Sequence, residues 1–91
     1  SMHTDEYEIS INRELNHCLH VVNKTRTDLE QRTQQFGMCY EQAVIAFGEN
    51  RLQISAKELA KWQDDVAALP QWEQRLKEYR EALAAMRISA S

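Results

Sequence analysis

Two histidines and a cysteine lie close together near the start of the chain, at His17, Cys18 and His20. A His-x-x-His pair on one helical face can supply half of a zinc site. A structural zinc ion takes four protein ligands, and the sequence has no second Cys/His pair at a spacing that would complete the set. Cys18 also falls on an apolar stripe, where a free cysteine behaves as a small apolar residue. We therefore expect neither a metal nor a cofactor.

Asp64 and Asp65 are adjacent carboxylates, the second group of side chains with catalytic potential. Neighbouring residues in a helix point about 100° apart, so this pair is not expected to share a proton. The sequence also lacks a nucleophile motif, a glycine-rich phosphate loop and the Glu-x-x-His pairs of a four-helix carboxylate site. These observations predict a protein that is not an enzyme.

The composition predicts one small helical domain over residues 1–91, because the chain has only two glycines and one proline. It carries 14 acidic and 11 basic residues, and Arg75, Lys77 and Arg80 alternate with glutamates, which argues against nucleic-acid binding. No apolar run is long enough to span a membrane. The N-terminal residues lack the order of a secretory signal, and two cysteines are too few for a disulfide scaffold. We expect a cytoplasmic protein.

Apolar residues recur at alternating steps of four and three after Ser10, which is a plausible N-cap. The series is Ile11, Leu15, Cys18, Val22, Thr25 and Leu29. Gly37 follows Phe36, and glycine just past a helix is the usual left-handed cap. The pattern predicts a first helix over about 10–36, preceded by a flexible segment, residues 1–9, with a hint of extended structure.

A short second helix, over about 39–47, is predicted by apolar residues that share one face and by Gly48, which is expected to end it. The apolar residues are Tyr40, Ala43, Val44 and Phe47. Such a short helix is unstable alone, so it must lie on the two long helices.

The third helix is predicted over about 56–87, with residues 88–91 flexible. Ser55 and Glu58 match a capping box at its start. Pro70 should kink or break the helix, and a kink is favoured because Leu69 is a poor N-cap for a new helix. The predicted fold is therefore all-α: an antiparallel helical hairpin of two long, coiled-coil-like helices plus one short helix, with the last helix kinked near Pro70.

Five aromatic residues lie on the apolar stripes and have two interpretations. They are Tyr40, Phe47, Trp62, Trp72 and Tyr79. They either pack in the core or act as anchors for a partner, since Trp and Tyr dominate interface hot spots. Both interpretations hold if association completes the core.

Several short motifs resemble those of a family of small helical prokaryotic proteins of unknown function. These motifs are Phe36-Gly37-Met38, Tyr40-Glu41-Gln42-Ala43, Trp62 and Trp72-Glu73-Gln74-Arg75-Leu76, within Leu29 to Leu83. Members are often encoded beside toxin-like genes and are interpreted as antitoxins. Cys39 stands where a Ser or Thr cap would be expected. The resemblance implies a bacterial protein that neutralises a dedicated partner.

We therefore expect a non-enzymatic helical protein–protein interaction module, antitoxin-like in its action, with the five aromatic residues as its candidate interface. The alternative is a self-associating structural or adaptor protein in which two hairpins form a four-helix bundle homodimer, where Leu15 and Leu76 would matter more. The expected partner is another protein, a second copy of the chain, or both.

Overall fold

The computed structural model describes the backbone of residues 2–90 and the side chains of residues 6–88. This part of the chain forms three helices and no strand: α1 (Met2–Phe36), α2 (Tyr40–Gly48) and α3 (Ala56–Ala90). The predicted all-α class is confirmed. None of these helices combines the length and the apolar character that crossing a bilayer requires.

The helix α1 begins well before the predicted residue 10, so Ser10 lies inside it rather than at its cap. The Asn12 Nδ2 group donates a 3.1 Å hydrogen bond to the Glu8 carbonyl one turn earlier. The hint of extended structure before residue 10 does not correspond to a strand, because α1 continues through residues 2–9 and satisfies their backbone groups. At the other end, α3 continues past Arg87 to Ala90. Residues 2–9 and 88–90 are helical, while Ser1 and Ser91 lie outside the described residues.

The left-handed cap predicted at Gly37 is present. Its φ is 69°, and its N–H donates a 2.8 Å hydrogen bond to the Thr33 carbonyl. Glycine adopts this conformation without the steric cost that a Cβ imposes. The chain then turns directly into α2, so α1 and α2 are joined by only three residues, 37–39.

The helix α3 starts as the capping box predicts and passes through Pro70 as one helix. The Glu58 N–H donates a 3.0 Å hydrogen bond to the Ser55 Oγ, which satisfies one of the free amide groups of the first turn. The alternative of two shorter helices is therefore not what the chain adopts.

The chain divides into two compact units. Unit 1 comprises Ser1–Asn23 and Gln71–Ser91, and unit 2 comprises Lys24–Pro70. In unit 1, the buried residues on α1 are Ile11, Cys18 and Val22, and those on α3 are Leu76 and Leu83. Their separations of seven and four residues are those of the predicted apolar stripes.

Unit 2 is built around Trp62, of which only 1% is exposed. The indole stacks on the Phe36 ring, with a centroid distance of 5.5 Å, and meets the Tyr40 ring edge-on at 5.9 Å. Ala43 and Ala46 of α2 are also buried. All three helices therefore contribute to this core: Phe36 at the end of α1, Tyr40 and the two alanines of α2, and Trp62 of α3.

Candidate functional site

The outward side of α2 is apolar and exposed to solvent. Val44 is 41% exposed, Ile45 57% and Phe47 37%, whereas Ala43 and Ala46 on the same helix are buried. We call Val44 and Ile45 the α2 face, since Phe47 lies one turn after Ala43 and closer to the buried side. Apolar side chains clustered on one turn at the surface are a typical feature of protein interaction sites.

The predicted buried side of α2, with Tyr40, Ala43, Val44 and Phe47, is shifted in the structure. Ala43 is buried and the Tyr40 ring contacts Trp62, whereas Val44 is exposed, Phe47 is 37% exposed, and Ala46, which was not predicted, is buried. Ile45 was absent from the predicted face, although three consecutive apolar residues in a short helix cannot all be buried on one side.

Both ends of α2 are capped by hydrogen bonds between residues close in sequence. At the start, the Cys39 N–H donates a 3.0 Å hydrogen bond to the Gln42 side-chain oxygen, which is one half of a capping box. At the end, the Arg51 N–H donates to the Ala46 carbonyl at 2.7 Å, and the Asn50 N–H donates to the Phe47 carbonyl. This pattern is a Schellman motif.

The helix α2 ends at Gly48, as predicted, and the residue beyond it with a left-handed conformation is Asn50, with a φ of 57°. Gly48 is the last residue of α2 itself. Asparagine tolerates this conformation better than most residues with a side chain, so Asn50 was a signal available in the sequence.

A groove of about 380 Å³ runs beside the α2 face. Its lining residues are Gly37, Met38, Gln42, Ile45, Ala46 and Arg51. Arg51 also donates a 2.9 Å hydrogen bond from Nε to Glu49, and both side chains are more than half exposed. The groove and the α2 face share Ile45 and are therefore adjacent on the surface of unit 2.

The five candidate interface residues do not form one surface. Trp62 and Tyr40 contact each other in the core of unit 2, and Trp62 is buried. Trp72 and Tyr79 belong to unit 1 and are half-buried. Phe47 alone among the five is exposed, at 37%.

Trp72 is held between two side chains of unit 1. The His17 ring meets it edge-on with a centroid distance of 5.6 Å, and the Arg75 guanidinium lies 4.8 Å from the centroid of its ring. These contacts are a T-shaped aromatic pair and a cation–π contact. The Trp72 indole thus packs against His17 and Arg75 of its own chain.

The side chains that could take part in chemistry, around Cys18 and at Asp64 and Asp65, make ordinary contacts in the structure. Burial raises the pKa of the Cys18 thiol, Arg75 lowers it and Glu14 raises it further, with a net increase. Asp65 accepts hydrogen bonds from Arg32 and Lys61, whereas Asp64 is exposed. Among residues whose side chains are described, no group of three or more His, Cys, Asp or Glu is arranged to hold a metal ion.

Comparison with known proteins gives no match to this chain among protein-family models, curated proteins or solved structures. The geometry of the α2 face is therefore the basis for an assignment of function.

Proposed function

We propose that this protein is a non-enzymatic protein–protein interaction module that binds a partner through the α2 face. The observation that supports the proposal is the 57% exposure of Ile45, next to the exposed Val44, on a helix whose other side is buried. Removing apolar surface from water contributes roughly 25 cal/mol per Å², so a partner that covers these two side chains gains binding energy without disturbing the core.

The partner that we propose is a dedicated toxin-like protein in the cytoplasm, whose active surface is covered on binding. The segment Tyr40-Glu41-Gln42-Ala43, which carries part of the resemblance to the antitoxin-like family, forms the first turn of α2. The groove next to Ile45 supplies a recess for an apolar side chain of that partner. Nucleic acid is not the proposed partner.

The scaffold for this surface is, in our proposal, an antiparallel hairpin of α1 and α3, with α3 bent near Pro70. Within unit 2, Arg32 contacts Asp65 and Phe36 contacts Trp62. The residue number on α1 rises by four while its partner's number on α3 falls by three, as expected for helices that run in opposite directions. The bend has its physical reason in the missing amide hydrogen of Pro70.

The alternative, a four-helix bundle homodimer built on the apolar stripes of the long helices, has less support. It requires residues such as Leu76 to contact a second chain, and Leu76 is already buried within unit 1 of a single chain. The α2 face, by contrast, remains exposed.

The test replaces Ile45 by aspartate and measures binding to a partner identified by affinity purification from the native cells. The matched control is Ile9→Asp, because Ile9 has nearly the same exposure, 58%, but belongs to unit 1. Purified partner is titrated against the wild type and both variants, and helix content is measured by circular dichroism. We expect Ile45→Asp to raise the Kd at least about tenfold with helix content unchanged, and Ile9→Asp to bind normally.

Equal binding by the wild type and Ile45→Asp would contradict the proposal. So would a loss of helix content that matches the loss of binding, since the effect would then come from the fold. Trp72→Ala extends the test to the predicted anchors, because a role for Trp72 at the interface requires weaker binding with helicity retained.

A further inference from the structure

The hydrogen bonds of α2 are all local. At its start the Cys39 N–H donates to the Gln42 side chain, and beyond its end Arg51 pairs with Glu49. The backbone hydrogen bonds that close its C-terminal end stay within residues 45–51. In the part of the chain that the structure describes, no hydrogen bond or ion pair links α2 to α1 or α3. Apolar contacts therefore hold α2 in place.

These apolar contacts are modest. The two buried residues of α2 are Ala43 and Ala46, and each contributes a single methyl group. A buried methyl group contributes a fraction of the free energy that a buried leucine or phenylalanine side chain contributes. The Tyr40 ring adds an edge-on contact with Trp62, and Phe47 stays 37% exposed. A helix of nine residues is not stable by itself, so α2 depends on these few contacts.

The contact between α1 and α3 in unit 2 is made without α2. Arg32 donates a 2.7 Å hydrogen bond to Asp65, and the Phe36 ring stacks on the Trp62 indole with a centroid distance of 5.5 Å. Both contacts join the two long helices directly, and neither includes a residue of α2. They would therefore remain if α2 moved away.

The segments on both sides of α2 can act as hinges. Gly37 begins the link 37–39 with a φ of 69°, and a Cβ built on it would meet no atom of the described residues within 4 Å. After α2, residues 49–55 lie outside the helices, and Asn50 among them has a positive φ. Hinges are a few residues in loops or at the ends of elements, and they absorb changes in φ and ψ.

We propose that α2 is a lid on the aromatic core of unit 2, and that it opens about Gly37 and residues 49–55 while α1 and α3 stay in contact. Opening uncovers the Trp62 indole, which is 1% exposed when the lid is closed. Local opening of a weakly held element requires less free energy than unfolding of the whole unit. The inference goes beyond the proposed function, because it concerns the free chain and requires no partner.

Hydrogen exchange of the wild type, followed by NMR at urea concentrations below the unfolding transition, tests the lid. We expect the amides of Ala46 and Phe47 to be at least about tenfold less protected than those of Arg32 and Trp62. Their exchange should depend little on urea, because opening α2 exposes little surface. Equal protection and equal urea dependence in the two pairs would overturn the inference, since α2 would then open only when unit 2 unfolds.

A trapping experiment separates opening of the lid from fraying of its backbone. In Ala46→Cys, made together with Cys39→Ser to remove the exposed thiol, the introduced thiol is buried and reacts with N-ethylmaleimide only when α2 lifts away. The adduct is too large for a site that holds a methyl group, so it keeps the lid open. The matched control is Ile45→Cys in the same background, which places the adduct on the exposed side of α2.

The state of the trapped chain decides the proposal. Circular dichroism should show a loss of no more than the nine residues of α2, and in Trp72→Phe the Trp62 emission should move to longer wavelength. The adduct at residue 45 should change neither. A much larger loss of helix at residue 46 would overturn the inference, because α1 and α3 would then need α2 to stay together. So would full modification at residue 45 with none at residue 46.

Discussion

Arg32 and Asp65 join α1 to α3 within unit 2 through a 2.7 Å hydrogen bond that is largely removed from solvent. Asp65 is 8% exposed, and its other carboxylate oxygen accepts a 2.9 Å hydrogen bond from Lys61 one turn earlier on α3. Both oxygens of a buried carboxylate are thus paired. Breaking such a pair is costly because the remaining charge is left without its partner.

Arg32→Met should therefore lower the free energy of unfolding by about 1–3 kcal/mol, since methionine keeps much of the side-chain volume and removes the charge. The matched control is Lys24→Met, which breaks the ion pair with Asp28 on the surface. An exposed pair contributes less than about 1 kcal/mol, so this variant should differ little from the wild type. Urea unfolding at neutral pH checks both, and equal losses would show that burial of the Arg32 pair adds nothing.

Asp65 should also make the stability depend on pH. Burial raises the pKa of its carboxyl. The hydrogen bonds and positive charges of Lys61 and Arg32 lower the pKa by a larger amount, so it lies below the ordinary value of 3.8. The unfolded chain then binds this proton more readily than the folded chain. The ion pairs contribute their full stability above about pH 4 to 5 and lose it as the pH falls through the lower, folded-state pKa.

The measurement compares the wild type with Asp65→Asn in urea at a series of pH values. The difference in unfolding free energy should be constant near neutral pH and should shrink as the pH falls below about 4. A difference that stays the same down to about pH 2 would mean that Asp65 is not the group that titrates.

Substitution by alanine should change the stability of the protein in opposite directions at two positions near the end of α2. Asn50 has a positive φ, so Asn50→Ala should destabilise the protein by about 1 kcal/mol, whereas Asn50→Gly should be neutral or slightly stabilising. Gly48 has no such constraint, and Gly48→Ala should stabilise by up to about 1 kcal/mol. Thermal unfolding checks all three. If Gly48→Ala were the destabilising change, the left-handed cap would lie at residue 48.

The two cysteines should differ in reactivity. Cys39 is exposed at the start of α2, and Cys18 is buried in unit 1 with a raised pKa. Because the thiolate is the reactive form, Ellman's reagent should modify one thiol per native chain quickly and the second only when unit 1 opens. Cys39→Ser should remove the fast phase. Two equally fast thiols would contradict the burial of Cys18.

The long helices could be predicted from the sequence because their patterns act locally. Ile11, Cys18 and Val22 follow a heptad rhythm and are buried, and the caps at Gly37 and Ser55 depend on residues a few positions away. The start of α1 was not predicted because apolar residues do not recur at helical spacing in its first turns. A polar helix and a flexible end look alike in such a sequence.

The orientation of α2 could not be predicted, because the helix is apolar on nearly every side. Which residues of α2 are buried depends on side chains of the other helices, such as Trp62 of α3, which the Tyr40 ring contacts. The sequence pointed to the tryptophans, the largest apolar residues, whereas the structure buries Trp62 and exposes Ile45.

The distribution of tryptophans gives each unit its own optical reporter. Trp62 is buried in the aromatic core of unit 2, and Trp72 lies beside His17 and Arg75 in unit 1. In Trp72→Phe the indole emission comes from unit 2 alone, and in Trp62→Phe from unit 1 alone. Melting curves of the two variants can thus show whether the halves of this chain unfold together or one after the other, without any attached dye.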